Sequence, residues 1–326
     1  MNVALNEGDF VVGLDIGGTK MMACVFDHQF KVVGRCKKKS KSAKDEKPEA
    51  RIARIVREAL DDSGNVTIRG IGVGSPGPLD PDTGVIIDTP NLGWKKFPLA
   101  KVLSDAFEVP VAVDNDVNLG TLGEWVFGKV KDCKHVVGLF PGTGIGGGII
   151  IDGKLLHGAS GSAGEVGHMT LEIDGPYCGC GKRGCFEALA SRVAVAAQIA
   201  ALAARGDAPY ILQTCGTDIA KIRSGAIAKA IDEGEKMVEG VVRKAAFYTG
   251  VAAANLINTL SPEALVLGGG LVEAMPNLYM EEVTKALKQH TMPFLLKFVR
   301  VMPAKLGDDA VAMGAAALIT DRLNAT

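Results

Sequence analysis

An α/β fold in two related halves, with a cleft between them, is predicted by two observations on this chain of 326 residues. A short apolar strand, a glycine turn and a second apolar strand occur near Asp15 and again near Gly144. Around these hairpins, short apolar runs alternate with stretches whose apolar residues recur at the helical period. A hairpin that returns in an alternating strand–helix chain is the mark of a duplicated unit.

The elements follow in order. Val11–Ile16 is an apolar strand running into Gly17-Gly18-Thr19-Lys20, and Met21–Phe26 is the strand that returns. Lys31–Cys36 reads as a third strand. Pro48–Leu60 carries Ile52, Ile55, Val56 and Leu60 at helical spacing. Gly70–Gly74 is a buried strand ending in Ser75-Pro76-Gly77-Pro78, and a Pro/Asp/Gly-rich connector runs on to about Trp94. Pro98–Phe107 is helical. Pro110–Val113 is a strand delivering Asp114-Asn115-Asp116, Val117–Phe127 a helix, and Gly128–Asp132 a hinge. In the second half, Val136–Phe140 is a strand, Pro141–Gly148 a glycine-rich turn and Ile149–Ile151 a strand. Helices are expected at Glu187–Ala204, Ile219–Ser224, Ala226–Glu233, Glu235–Thr259, Met275–Leu287 and Ala310–Leu323. Strands are expected at Ala264–Leu267, before Gly268-Gly269-Gly270, and at Phe298–Val301.

A net charge of −1 provides no basic field for nucleic acid. The run Lys37-Lys38-Lys39-Ser40-Lys41 is local and reads as a solvated loop. The N-terminus lacks a basic n-region, and Val193–Ala204 is too short to cross a bilayer. A soluble, cytoplasmic protein without membrane partners is therefore expected. Seven cysteines with no secretory signal argue for reduced thiols and a metal rather than a disulfide framework. Cys24, Cys36, Cys133 and Cys215 read as core filler.

Three segments carry chemistry. Asp15, at a strand tip beside Gly17-Gly18-Thr19-Lys20, can orient Mg²⁺-bound water while Thr19 and main-chain amides meet phosphate oxygens; a turn-forming aspartate is the plainer reading. Gly142-Thr143-Gly144-Ile145-Gly146-Gly147 fits G-x-G-x-x-G, but a strand rather than a helix follows, which excludes a dinucleotide fingerprint. Glycine amides there can still cradle phosphates. Asp114-Asn115-Asp116 stands before a helix. It suits both helix capping and a base beside a hydroxyl-binding amide.

His168, Cys178, Cys180 and Cys185 form H-x₉-C-x-C-x₄-C, threaded with glycine. Four such ligands suit a closed, tetrahedral, structural Zn²⁺ site. His168 can bind metal through one ring nitrogen and offer the other to a ligand hydroxyl. Glu165 and Glu187 flank the loop as hydroxyl acceptors, a set that suits a polyol such as a sugar.

Together these segments resemble the ROK family (repressors, open reading frames and kinases), within the actin-like, ribonuclease-H-like two-domain ATPase fold. The resemblance covers nearly the whole chain. It rests on Asp15–Lys20, Asp114–Asp116, Pro141–Gly147, Gly164–His168, Cys178–Ala188 and Leu267–Gly270, the cysteine segment being the most specific. It implies ATP-dependent phosphorylation of a hexose, most closely glucose at its 6-hydroxyl, in carbohydrate metabolism. Asp116 falls at the general-base position. Asn91, Asn115, Glu165, His168 and Glu187 fall at sugar-contacting positions. Asp15, Gly17, Gly18, Thr19, Lys20, Gly142, Thr143, Gly144 and Gly269 are assigned to ATP·Mg²⁺. Residues 1–128 with 308–326 are expected to form a smaller domain, and 129–307 a larger one carrying the zinc loop. Homo-dimers or homo-tetramers are common in the family, and with ten residues before the first strand the helix-turn-helix module of its repressors is not expected. N-acetylglucosamine, N-acetylmannosamine or fructose as substrate, polyphosphate as donor, and a silent sugar sensor stand as alternatives.

Overall fold

The computed structural model describes residues 1–40, 46–89 and 92–325. The chain forms two units. One comprises Met1–Lys134, Gly148–Gly164 and Asp308–Thr326; the other comprises His135–Gly147 and Glu165–Gly307. The expected boundary thus shifts: residues 129–134 and 148–164 join the first unit rather than the zinc-loop unit. The reason is packing. Gly148 lies against the Thr121 side chain, Gly153 against Trp125, and His157 bonds Asp114.

In the first unit the chain runs β1 (Phe10–Ile16), β2 (Lys20–Phe26), β3 (Val32–Lys39), α1 (Pro48–Asp62), β4 (Ile68–Ser75), β5 (Leu79–Asp80), β6 (Val85–Thr89), β7 (Trp94–Phe97), α2 (Leu99–Phe107), β8 (Val111–Asn115) and α3 (Asp116–Phe127). A five-stranded sheet has the order β3-β2-β1-β4-β8. β1 and β2 are antiparallel, closing with Ile16 opposite Met21; β4 and β8 are parallel to β1 and to each other. Asp15 is paired with Gly74, and Gly74 with Asp114, so three sites stand side by side at the carboxyl ends of parallel strands. That end is where ligands bind in open α/β sheets. Val12, Leu14 and Ile16 are fully buried, as are Ile52, Ile55 and Val56 of α1. The expected connector before Trp94 is instead a small antiparallel sheet, β5-β6-β7. Ile86 is buried there, and Trp94 and Phe97 lie 4.9 Å apart. These strands are too short for an alternating pattern to emerge among the turn residues.

The chain continues through β9 (Val136–Pro141), β10 (Ile145–Ile151) and β11 (Lys154–Leu155). It then passes α4 (Phe186–Ala190), α5 (Arg192–Ala204), α6 (Pro209–Cys215), α7 (Ser224–Asp232), α8 (Lys236–Leu260), β12 (Ala264–Leu267), α9 (Gly270–Ala274), α10 (Pro276–His290), α11 (Pro293–Leu296) and β13 (Arg300–Pro303). The second sheet has the order β11-β10-β9-β12-β13, which matches the first strand for strand and realises the expected duplication. β12 is parallel to β9 and to β13. The core of the second unit gathers around α8, with Val242, Ala246, Ala253 and Ile257 at zero exposure.

Several local expectations are corrected. Gly146, Gly147 and Gly148 belong to β10, not to a turn; a Cβ on Gly147 would stand 2.6 Å from Val166, so packing rather than bending requires glycine there. The helix expected from Glu187 to Ala204 breaks at Ser191. That residue is extended, and its Oγ accepts from the Ala194 amide at 3.2 Å to cap α5. The helix expected over Ile219–Ser224 does not form: residues 219–221 are turn, where the Asp218 carboxylate takes the Ala220 amide at 2.9 Å, and Ser224 instead opens α7. α6 and α11 were not anticipated, and β13 begins two residues later than expected.

α12 (Ala310–Ala325) closes the first unit. Its main chain lies on Gly13 of β1 and Gly72 of β4, while its own Gly314 lies on Leu119 of α3. A Cβ at any of these three glycines would collide with a carbonyl group.

Candidate active site

In the first unit, β1 delivers Asp15 and the β8–α3 junction delivers Asn115 and Asp116. Burial raises the Asp15 pKa to about 7, and the Asp116 charge adds to the effect, with Lys20 and Lys37 opposing. Two carboxylates that repel one another at a strand end form a natural seat for a cation. The Gly17–Lys20 turn is held by Gly17 N–H donating to Lys20 O at 2.9 Å and by Ser40, whose Oγ donates to Gly17 O at 2.5 Å. The Lys20 ammonium lies 3.4 Å from Asp308, which Lys37 also reaches at 2.7 Å.

Asn115 takes the capping role. Its Oδ1 accepts from Val117 N at 2.8 Å and Asn118 N at 3.3 Å, capping α3, while its Nδ2 remains directed toward Gly77. Asp116 Oδ1 accepts from Val117 N at 3.0 Å. Behind them sits a residue whose role was not anticipated. The buried Asp114 carboxylate accepts from Asn115 N at 2.7 Å and Asn118 Nδ2 at 2.9 Å, and meets His157 Nε2 at 2.6 Å. It ties the turn carrying Asn115 and Asp116 to a loop some forty residues away, which no local signal could announce.

In the second unit the metal-ligand quartet converges. One ligand atom from each of His168, Cys178, Cys180 and Cys185 lies within 4.8 Å of the others. Cys178 Sγ is 3.6 Å from His168 Nδ1, and Cys180 Sγ is 3.7 Å from Cys185 Sγ. A tetrahedral Zn²⁺ with ordinary bond lengths sets an S···S edge of about 3.8 Å and an S···N edge of about 3.6 Å. The donor set therefore fits zinc. Burial and the neighbouring thiols push the Cys185 thiol up to about 12. A bound cation would reverse that by stabilising the thiolates. His168 Nε2 points away from the quartet toward Glu165, 3.9 Å distant.

Glu187 links this loop to the second glycine hairpin. Its Oε2 accepts from Ile145 N at 2.8 Å and lies against Gly144, where a Cβ would displace it, while its Oε1 is 4.0 Å from Cys178 Sγ. Gly142 N–H donates to Gly144 O at 2.8 Å, and Arg192 N–H donates to Gly142 O at 2.9 Å. Gly269, at φ +89°, passes over Pro141, whose carbonyl oxygen would stand 2.5 Å from a Cβ. The unit thus gathers Gly142, Thr143, Gly144, Glu187 and Gly269 around one hairpin, with His168 and the thiols behind Glu187. Asn91 lies outside the described residues.

The ROK family pattern matches residues 11–322. The chain belongs to the ROK family. A glucokinase of Halalkalibacterium halodurans is 33% identical over 96% of each chain. The structure of a ROK family glucokinase from Streptomyces griseus in complex with glucose and AMPPNP matches with a TM-score of 0.81. It is 30% identical and covers 95% of this chain and 98% of its own. A xylose repressor of Caldicellulosiruptor bescii is 34% identical over 77% of this chain and 62% of the repressor. The chain shares the fold of that glucokinase structure.

Proposed function

We propose that this ROK protein is an ATP-dependent hexose kinase that phosphorylates glucose at its 6-hydroxyl. The observation that carries the reading is the placement of Asp116 at the same sheet end as Asp15 and the Gly17–Lys20 turn, with Asp15 and Asp116 in electrostatic contact. The likeness to glucokinases supports it.

Asp116 accepts the 6-hydroxyl proton as that oxygen bonds the γ-phosphorus and the bond to the departing ADP oxygen breaks. A carboxylate is a weak base, but the proton need leave only late in phosphoryl transfer, where positioning supplies most of the rate. Asn115 Nδ2 donates to a sugar hydroxyl, since its oxygen is committed to the helix cap. Glu165, His168 Nε2 and the remaining acceptor capacity of Glu187 take further hydroxyls, with Asn91 assigned to the same role. Gly17, Gly18, Thr19, Lys20, Gly142, Thr143, Gly144 and Gly269 hold the nucleotide. Asp15 is the residue that would hold Mg²⁺, which when bound neutralises phosphate charge. His168, Cys178, Cys180 and Cys185 would hold Zn²⁺ as a rigid structural anchor. A cytoplasmic dimer or tetramer acting in glycolysis is the matching context.

A coupled ADP-release assay over glucose, fructose, N-acetylglucosamine and N-acetylmannosamine tests this reading, with glucose expected to give the highest kcat/KM. Asp116→Asn should abolish turnover while leaving glucose binding largely intact; undiminished turnover would remove Asp116 from the mechanism. The xylose-repressor likeness favours a second reading, a sugar sensor, which would bind sugar and release no ADP.

A further inference from the structure

We propose that Arg192 and Arg223 form a cationic clamp for the phosphate chain of the phosphoryl donor. The inference rests on the kinase reading and deepens it. Arg192 opens α5 beside the Gly142–Gly144 hairpin. Its Nη2 donates to Thr143 Oγ1 at 3.2 Å, but its Nη1 is shut away from solvent and finds no hydrogen-bond partner among the described residues. A buried guanidinium N–H without an acceptor is costly, and such groups are rare unless a ligand supplies the missing oxygen.

Arg223 stands near enough to act on it. Burial first, and the Arg223 charge second, hold the Arg192 guanidinium below its ordinary range. Arg223 Nε donates to the Ala220 carbonyl at 3.3 Å. Among the described residues neither guanidinium is paired with a carboxylate, whereas Arg35, Arg54 and Arg243 each are. Two cations in one neighbourhood, neither paired with a carboxylate among the described residues, call for an anion. Ser224, next in the chain, sits 3.1 Å from where a Cβ of Gly270 would lie, and Gly269 passes over Pro141. The pair therefore belongs to the same hairpin neighbourhood as Gly142, Thr143 and Gly269.

The chemistry selects the anion. Guanidinium forks match phosphate oxygens in pairs, and the Thr143 hydroxyl adds a donor beside them. A phosphoanhydride chain offers oxygens to both arginines at once, which a single carboxylate cannot. That chain occurs in a nucleoside triphosphate and in inorganic polyphosphate, so both sources are compared.

The test uses the intact enzyme with Arg192→Gln, Arg192→Lys and Arg223→Gln. Steady-state kinetics are measured with ATP and with inorganic tripolyphosphate as donors, and tripolyphosphate binding is followed by calorimetry. Loss of one charge-assisted contact predicts about a tenfold rise in donor KM for Arg192→Gln, with the glucose KM unchanged and partial recovery in Arg192→Lys. Tripolyphosphate affinity should fall by a similar factor, and Arg223→Gln should show a smaller change of the same kind. An unchanged donor KM and unchanged tripolyphosphate affinity would overturn the clamp. Equal losses for donor and glucose would also overturn it, leaving Arg192 as a brace for the hairpin. If the wild type turned over no sugar yet bound tripolyphosphate through Arg192, the kinase reading would fail and the clamp would stand.

Discussion

At the scale of single residues, charge placement carries stability consequences that differ in sign. Asp15 has its folded-state pKa raised to about 7, so it favours the folded state only below its unfolded value near 3.8 and opposes it as pH rises through 7. Asp15→Asn is therefore expected to melt a few degrees above wild type at pH 8 and to show no gain at pH 3.5, while losing turnover. Calorimetry at the two pH values measures this, and an equal gain at both would contradict the raised pKa. His157 has its pKa raised by its hydrogen bond to Asp114, with burial opposing. Its contribution is complete below the ordinary value of 6.5 and is lost as pH climbs through the folded value. His157→Leu should accordingly lose more stability, relative to wild type, at pH 6 than at pH 9. A loss independent of pH would show that packing, not ion pairing, is what the imidazole supplies. The convergence of His168, Cys178, Cys180 and Cys185 was legible in the sequence because the four lie in one short stretch, while the base role of Asp116 stands as proposed. The partners of Asp114 and Arg192 were not legible, since His157 and Thr143 are far from them in the chain.

At the scale of elements, the loop from His168 to Glu187 is short of regular structure. Turns such as Cys178 N–H to Lys182 O at 2.8 Å shape it and bring the four candidate ligands together. Metal analysis should find about one Zn per chain, and Cys180→Ser should lose that metal together with glucose affinity, because His168 and Glu187 lose their anchor. Retention of both metal and affinity would sink the zinc assignment. Long periodic elements such as α1, α8 and α10 were legible because a buried face repeats over several turns. β5–β7 escaped because two to five residues cannot display a period. The glycines of β10 suggested a turn for a related reason: Val166 and Thr121 make glycine necessary there, and neither is a sequence neighbour.

At the scale of the whole molecule, the duplicated strand order was foreseeable from two hairpins, yet the assignment of residues to units was not. A strand that begins in one unit and ends in the other leaves no compositional mark at the crossing. α12 shows what the fold tolerates least. Gly72→Ala should cost about 3 kcal/mol, the upper end for overpacking, measured as a lower urea midpoint with an unchanged slope. A shift below about 0.5 kcal/mol would mean that the helix can step aside. The contact of α12 with Gly13, Gly72 and Leu119 is main chain on main chain, with no side chain between to absorb a change. A genetic screen for inactive variants would therefore recover these silent-looking positions alongside Asp116, and enzyme abundance in the cell, rather than catalytic defect per molecule, would tell the two groups apart.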